Sequence, residues 1–253
     1  MLEDASARLR AAGCVFAEEE AELLLSDATD EAHLAAMVER RAGGLPLEHV
    51  LGWTELAGVR VAVDPGVFVP RVRSELLVAE ALRRTRSGAV VIDLCCGSGA
   101  LGLVVARRIA GVELHATDID PGAVACARRN LDGIGMVHRG DLFAALPRRL
   151  RGRVDVIVAN TPYVPTDEVP LLPREAREHE PMVALDGGRD GLDVQRRVLA
   201  ACRSWLRPGG VLIVEVAAHQ APAACEEFVA RSLVPEVVTN DELEATIVIG
   251  VHR

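Results

Sequence analysis

The sequence predicts an α/β fold: a mainly parallel, doubly wound sheet, preceded by a small helical unit and a β-hairpin. Three observations predict it. From about residue 74, short apolar runs alternate with helical patterns, as in successive strand–helix–strand units. A glycine-bearing turn joins the first of these runs to its helix, where such sheets present free backbone N–H groups to a ligand. Residues 1–45, by contrast, show helical spacing only.

The elements follow in order. Residues 18–25 place Ala21, Leu24 and Leu25 on one face. Thr29 or Asp30 can cap a second helix carrying Leu34, Met37, Val38 and Arg41, which Gly43-Gly44 ends. Val59, Val61 and Val63 alternate with other residues, Asp64-Pro65-Gly66 is a strong turn signal, and Val67-Phe68-Val69 follows. Residues 55–70 therefore read as a β-hairpin. Residues 75–84 form an amphipathic helix. Strands are expected at 89–94, 112–117, 135–139, 154–159 and 211–216, with helices at 101–109, 121–131, 192–206 and 220–231. Asp120 is a helix cap with Pro121 in the first turn. Pro208-Gly209-Gly210 reads as a turn, and 234–238 with 245–251 close the sheet as an antiparallel pair.

Composition narrows the function. The chain has 253 residues, half of them hydrophobic, enough for one large domain or one domain plus a small one. Acidic residues outnumber basic ones 37 to 28, for a net charge of −9. That balance disfavours extended nucleic-acid binding, which calls for a basic face. Every basic residue other than histidine is Arg, so a Schiff-base lysine and a P-loop lysine are both excluded. The six cysteines make no C-x-x-C pair, and no His cluster has metal-ligand spacing, so no metal is expected. No apolar run is long enough to span a bilayer, the start is acidic, and a cytoplasmic location is expected.

Two stretches carry chemistry. Asp93-Leu94-Cys95-Cys96-Gly97-Ser98-Gly99 joins the first strand of the sheet to its helix, and Asp118 ends the next strand. A carboxylate there can accept hydrogen bonds from both hydroxyls of a ribose. Asp141 ends the third strand, and Leu142-Phe143 is either an adenine slot or ordinary core. Residues 97–102 also fit G-x-G-x-x-G, which keeps a dinucleotide as a rival ligand. The second stretch is Asn160-Thr161-Pro162-Tyr163, which follows the apolar run 154–159 and holds the only tyrosine of the chain. A strand end is where open α/β sheets place ligands. The Asn160 oxygen and the Thr161 carbonyl can accept the two N–H bonds of a planar nitrogen while Tyr163 covers its face. That points to methylation of an amide or amino nitrogen. Arg148, Arg149, Arg151 and Arg153 read as a solvated turn or an RNA-proximal patch.

Taken together, these residues resemble the protein-glutamine N5-methyltransferases, the release-factor methyltransferase family. The resemblance runs through 40–52, 65–75 (Pro65-Gly66-Val67-Phe68-Val69-Pro70-Arg71 and Ser74-Glu75), 93–99, Asp118, 160–163, 180–192, Gly209-Gly210 and 215–220. It implies a seven-stranded, Rossmann-like class I methyltransferase domain at 73–253, a helical substrate-recognition domain at 1–50 and a hairpin linker at 51–72. It also implies S-adenosylmethionine as cofactor, bound by Cys95, Cys96, Gly97, Ser98, Gly99, Asp118, Asp141, Leu142 and Asn160. The methyl acceptor implied is a glutamine side chain in a protein, in this family the Gly-Gly-Gln loop of a peptide-chain release factor. Phe68 and residues 160–163 would hold it. The alternatives are an adenine amino group in nucleic acid or another protein such as a ribosomal protein. The chain departs from the family pattern at Cys95 (usually Gly), Thr161 (usually Pro) and Val72-Arg73 (usually Pro-Glu). Residues 180–192, rich in glycine, are expected to form a mobile loop over the cleft.

Overall fold

Helical spacing and an early cap shape the N-terminal unit. In the computed structural model, which describes residues 1–253, it comprises α1 (Leu2–Ala11), α2 (Ala17–Asp27), α3 (Glu31–Ala42) and the short α4 (Leu47–Leu51). The Asp30 carboxylate caps α3 by accepting the His33 N–H at 2.7 Å. Leu9, Ala21, Leu24, Met37 and Val38 pack into a core separate from that of the sheet. Buried Arg41 links this unit to the rest. It donates to both oxygens of Glu20 at 2.6 and 3.0 Å, and also to Glu175 near the cleft. Removing either carboxylate would leave a buried charge short of a partner and destabilise this contact.

The hairpin lies upstream of its expected place. Its strands are β1 (Trp53–Leu56) and β2 (Val59–Ala62), joined by Ala57-Gly58. Both turn residues have positive φ, 49° and 73°, which matches the twist of a two-residue hairpin turn. The alternation of Val59, Val61 and Val63 signals a real strand, but its partner precedes it. Asp64-Pro65-Gly66 does turn the chain, with Val67 N donating to Asp64 O, yet 67–69 form no strand. Val63, Val67 and Val69 instead bury against Ala123 and Cys126, so Phe68 between them faces the cleft.

The main sheet holds seven strands in the order β5-β4-β3-β6-β7-β9-β8. They are β3 (Val90–Leu94), β4 (Glu113–Asp118), β5 (Gly135–Arg139), β6 (Val154–Ala159), β7 (Leu206–Val216), β8 (Leu233–Asn240) and β9 (Ala245–His252). The first five are parallel, and β9 runs antiparallel to both β7 and β8. Helices α5 (Glu75–Arg84), α6 (Ala100–Arg108), α7 (Pro121–Asn130), α10 (Asp193–Cys202) and α11 (Ala221–Ala230) cover the two faces, while α8 (Arg174–His179) and α9 (Met182–Leu185) lie in the connection after β6. All six residues of β6 are buried because both faces are covered. Each large apolar side chain so buried contributes about 2 kcal/mol. Asp120 accepts the Ala123 N–H at 2.8 Å and caps α7.

Pro208-Gly209-Gly210 is not a turn ahead of the strand, because the helix expected to reach 206 ends at Cys202 and β7 already begins at Leu206. It forms an irregularity within β7, where pairing jumps from Val154↔Leu206 to Val156↔Val211. Gly210 sits there because a Cβ would lie 2.7 Å from the Val154 carbonyl. Strand order reverses between β3 and β6, and such a switch point opens a crevice at the carboxyl ends of the strands.

Candidate active site

The crevice is a cleft of about 510 Å³ lined from one end to the other by residues singled out in the sequence: Phe68, Cys95, Cys96, Gly97, Ser98, Asp118, Asp141, Leu142 and 160–163. Gly99 is outside the lining. It begins α6 with φ 77° and packs against Ala127 and Leu131 of the neighbouring helix region. Gly102, the last glycine of the G-x-G-x-x-G match, packs on Leu114 and Asp93, which accounts for it without a diphosphate. Phe143 is also outside. It is buried and stacks on Trp205 with ring centroids 5.5 Å apart, so of the Leu142-Phe143 pair only Leu142 reaches the cleft. The arginine-rich turn finds partners of its own: Arg149 bonds Glu113, and Arg151 lies over Trp205.

One half of the cleft is built around a backbone turn. The turn after β3 bends through Cys95 (φ 54°) and Gly97 (φ 55°). Cys95 stands where the family pattern has glycine, and the left-handed conformation costs a residue with a Cβ about 1 kcal/mol. Burial pushes its thiol up, so it is not an activated nucleophile. Asp118 closes this half. One of its oxygens accepts the Gly97 N–H and the other the Asp120 N–H, both at 2.9 Å. Burial pushes its carboxyl up, and these backbone bonds pull it partly back. Ser98 Oγ and Thr117 Oγ1 are buried beside it without a partner, an arrangement that a polar ligand would satisfy. Ile119, Ala123 and Leu142 add an apolar wall. A ribose diol, a polar tail and an aromatic base all fit the groups present.

The other half is built from side chains brought from far apart in the chain. Glu215, buried near the end of β7, gathers three donors. Its Oε1 accepts the Tyr163 hydroxyl at 3.0 Å and Arg73 Nε at 3.2 Å; its Oε2 accepts the Ser74 hydroxyl at 2.7 Å. Ser74 Oγ in turn accepts Asn160 Nδ2 at 3.2 Å. Burial and then the Glu215 charge push the Tyr163 phenol up, so it stays protonated. The Thr161 carbonyl accepts no hydrogen bond within the protein, and its hydroxyl is buried and unpartnered. Arg71 donates to both oxygens of Glu180 at 2.7 Å and lies over the Phe68 ring. Burial pushes the Glu180 carboxyl up, opposed by Arg71.

The 180–192 loop is stitched down rather than loose. Val164 N donates to Leu185 O, Gly187 N to Val164 O, and Thr166 N to Gly188 O. Gln220 closes the set, donating from Nε2 to both Tyr163 O and Asp190 O at 2.9 Å. The glycines are there for close approach, not for movement: a Cβ on Gly191 would lie 2.1 Å from Tyr163 O. Asp190 does brace the following helix, through Leu192 N and Arg196.

Comparison with known proteins follows the same lines. Residues 58–171 match the Methyltransferase small domain family. The release factor glutamine methyltransferase of Geobacter sulfurreducens is 40% identical over 195 residues, covering 76% of this chain and 68% of that protein. The Deinococcus radiodurans protein of the same name is 36% identical over 252 residues, 90% of this chain and 88% of the relative. This chain belongs to the release factor glutamine methyltransferase family. It is therefore a methyltransferase, with S-adenosylmethionine as its methyl donor. Among solved structures, the T. thermophilus 16S rRNA N2 G1207 methyltransferase, in complex with AdoMet and guanosine, aligns with a TM-score of 0.56 at 24% identity over 79% of this chain and 50% of that one. The ribosomal protein L11 methylase of Lactobacillus delbrueckii subsp. bulgaricus gives 0.54 at 19% over 76% and 83%. At these identities the likeness is one of fold.

Sequence reasoning picked out the 160–163 tetrad, and it marked the segments of Arg71, Arg73, Ser74, Glu180 and Glu215 by resemblance, but it gave these five side chains no role beside the tetrad. A signal for such a role existed at Glu215, a lone carboxylate in the apolar run 211–216.

Proposed function

We propose that this enzyme methylates the side-chain amide nitrogen of a glutamine in a peptide-chain release factor, in the Gly-Gly-Gln loop, and so acts in translation termination in the cytoplasm. The observation that carries the reading is the pairing of two acceptors, Asn160 and the unbonded Thr161 carbonyl, at the end of β6. No helix is long and apolar enough to cross a membrane, which accords with a cytoplasmic partner.

Asp118, Ser98, Thr117 and Leu142 would hold the donor, with Cys95, Cys96, Gly97 and Asp141 around it. S-adenosylmethionine, when bound, supplies a methyl group on an electron-poor sulfur. An amide nitrogen is a weak nucleophile because its lone pair is shared with the carbonyl. Asn160 Oδ1 and Thr161 O accept its two N–H bonds, which fixes the nitrogen in line and favours the positive charge that develops on it. Such orientation and preorganised dipoles are the main catalytic terms here. As the new N–C bond forms, the methyl's bond to the donor sulfur would break and leave a neutral thioether, and one amide proton would leave along its hydrogen bond to the Asn160 and Thr161 oxygens and pass to solvent as the product departs. Tyr163 and Phe68 cover the two faces of the amide and keep water off. Pro162 holds Thr161 extended, so its carbonyl stays directed at the substrate. The helical unit at 1–50 and the 51–72 hairpin would contact the body of the release factor, with Arg41 and Glu175 fixing that unit beside the cleft.

The test is tandem mass spectrometry of purified release factor incubated with the enzyme and S-adenosylmethionine. One methyl group on the loop glutamine is expected. Methylation confined to an added nucleic acid or ribosomal protein would replace this reading with one of the alternatives.

A further inference from the structure

We infer that Glu215, acting through Ser74, sets which end of the Asn160 amide faces the substrate. The inference rests on the reading of Asn160 as an acceptor for the substrate amide. Asn160 has a donor end and an acceptor end of nearly equal size, and nothing in its own shape chooses between them. A substrate amide presents N–H donors. If Nδ2 faced the cleft, two donors would meet and the nitrogen would not be held.

The network removes the ambiguity. Glu215, a carboxylate ion-paired with Arg73, can only accept. Its Oε2 has one partner, the Ser74 hydroxyl at 2.7 Å. Ser74 must spend its single proton there, which leaves only lone pairs toward Asn160. Those lone pairs call for the Nδ2 end, found at 3.2 Å. Oδ1 is thereby turned to the cleft as the acceptor. Ser74 and Glu215 are 1% and 2% exposed, so water cannot rewrite the pattern. Glu215 and Ser74 are positioning residues, since they act through Asn160. The same carboxylate also holds the Tyr163 hydroxyl, so one buried charge orders both the acceptor and the aromatic cover.

The polarity can be reversed by design. Glu215→Gln is isosteric. Its oxygen can stay at the Oε1 position for Tyr163 and Arg73, while its new NH₂ at the Oε2 position donates to Ser74. Ser74 is then free to donate to Asn160 Oδ1, and the amide flips so that Nδ2 faces the cleft. Asn160→Asp alone places two acceptors either side of one serine proton. In the double variant the introduced amide donates to Ser74, and Ser74 donates to the introduced carboxylate. An acceptor oxygen again faces the cleft.

The experiment measures kcat and KM with release factor and S-adenosylmethionine, cofactor Kd by calorimetry, and urea midpoints. Glu215→Gln is expected to lower kcat about 100-fold, the scale of one lost preorganised hydrogen bond, with cofactor Kd and midpoint close to wild type. Ser74→Ala, which frees the amide to turn, is expected to lower kcat in the same direction and serves if Glu215→Gln folds poorly. The double variant is expected to exceed either single variant by about tenfold, a coupling that a purely structural role would not produce. Wild-type kcat in Glu215→Gln or Ser74→Ala overturns the inference. So does a double variant no better than Asn160→Asp. Turnover in Asn160→Ala would instead remove the acceptor reading on which the inference stands.

Discussion

The two halves of the cleft are built in opposite ways. The proposed cofactor half is local: strand β3, its turn and the ends of β4 and β5 lie within one stretch of chain, and they line it with turn backbone, Asp118, Asp141 and the hydroxyls of Ser98 and Thr117. The acceptor half is assembled at long range. Ser74 meets Glu215, Arg71 meets Glu180, and Gln220 meets Tyr163, each pair far apart in sequence. A site for a common cofactor can be a property of the fold, whereas a site for one protein side chain needs its own scaffold. The halves should therefore fail separately when perturbed.

Short of deleting the Asn160 side chain itself, the largest effect should come from Gly191→Ala. At φ 77° and with Tyr163 O and Gln220 Nε2 both within 2.3 Å of the added Cβ, the loop and the 160–163 segment cannot both keep their places. Methyl transfer is expected to fall roughly 100-fold or more, as misplaced reacting groups do, while calorimetry shows the cofactor still bound. Loss of cofactor binding together with activity would show that the halves are not separable.

Asp118→Asn probes the other side. It weakens one acceptor for a ribose diol and loosens the Gly97 and Asp120 contacts. Cofactor affinity should fall about tenfold, the worth of a charged hydrogen bond, with kcat at saturating cofactor largely kept. A lower kcat with unchanged affinity would contradict that division.

Asp93 ties the cofactor half to the core and gives a pH signature. Its carboxyl is buried, bonded only to Gly102 N, and pushed up to about 8, mainly by burial. The unfolded chain releases this proton near pH 4, so the native state binds more protons from there to about pH 8. This contribution to stability is present at low pH and is lost as pH rises through about 8. Urea midpoints of the cofactor-free protein should drop less over that window in Asp93→Asn than in wild type. Parallel pH profiles would show that the carboxyl is ionised throughout.

Thr161→Val should do least. The hydroxyl is buried without a partner, and the proposed reaction uses the carbonyl. Replacing an unpaired hydroxyl with a methyl is expected to leave activity intact and to stabilise by about 1 kcal/mol. A large loss of kcat would give the hydroxyl a role that the carbonyl does not explain.

The same contrast governs what the sequence revealed. Asp120 as a cap, the glycine turn and the buried run of β6 were legible because each is decided within a few residues. The tetrad at 160–163 was legible because it sits at a strand end. The hairpin register was not, because Val59, Val61 and Val63 show a strand without naming its partner, and the Ala57-Gly58 turn lacks the strongest turn residues. The firmness of 180–192 was hidden as well, since glycines chosen for close approach read the same as glycines chosen for movement. Phe143 and Leu142 are adjacent, yet only the packing of Trp205 decides which one faces the cleft.

The most direct test of the two-part account is Asn160→Ala, assayed for methyl transfer to release factor and for S-adenosylmethionine binding. The account expects transfer to fall at least about 1000-fold, near the upper end for a preorganised polar group, with cofactor affinity largely unchanged. Transfer at the wild-type rate would contradict it, and so would affinity lost in step with activity.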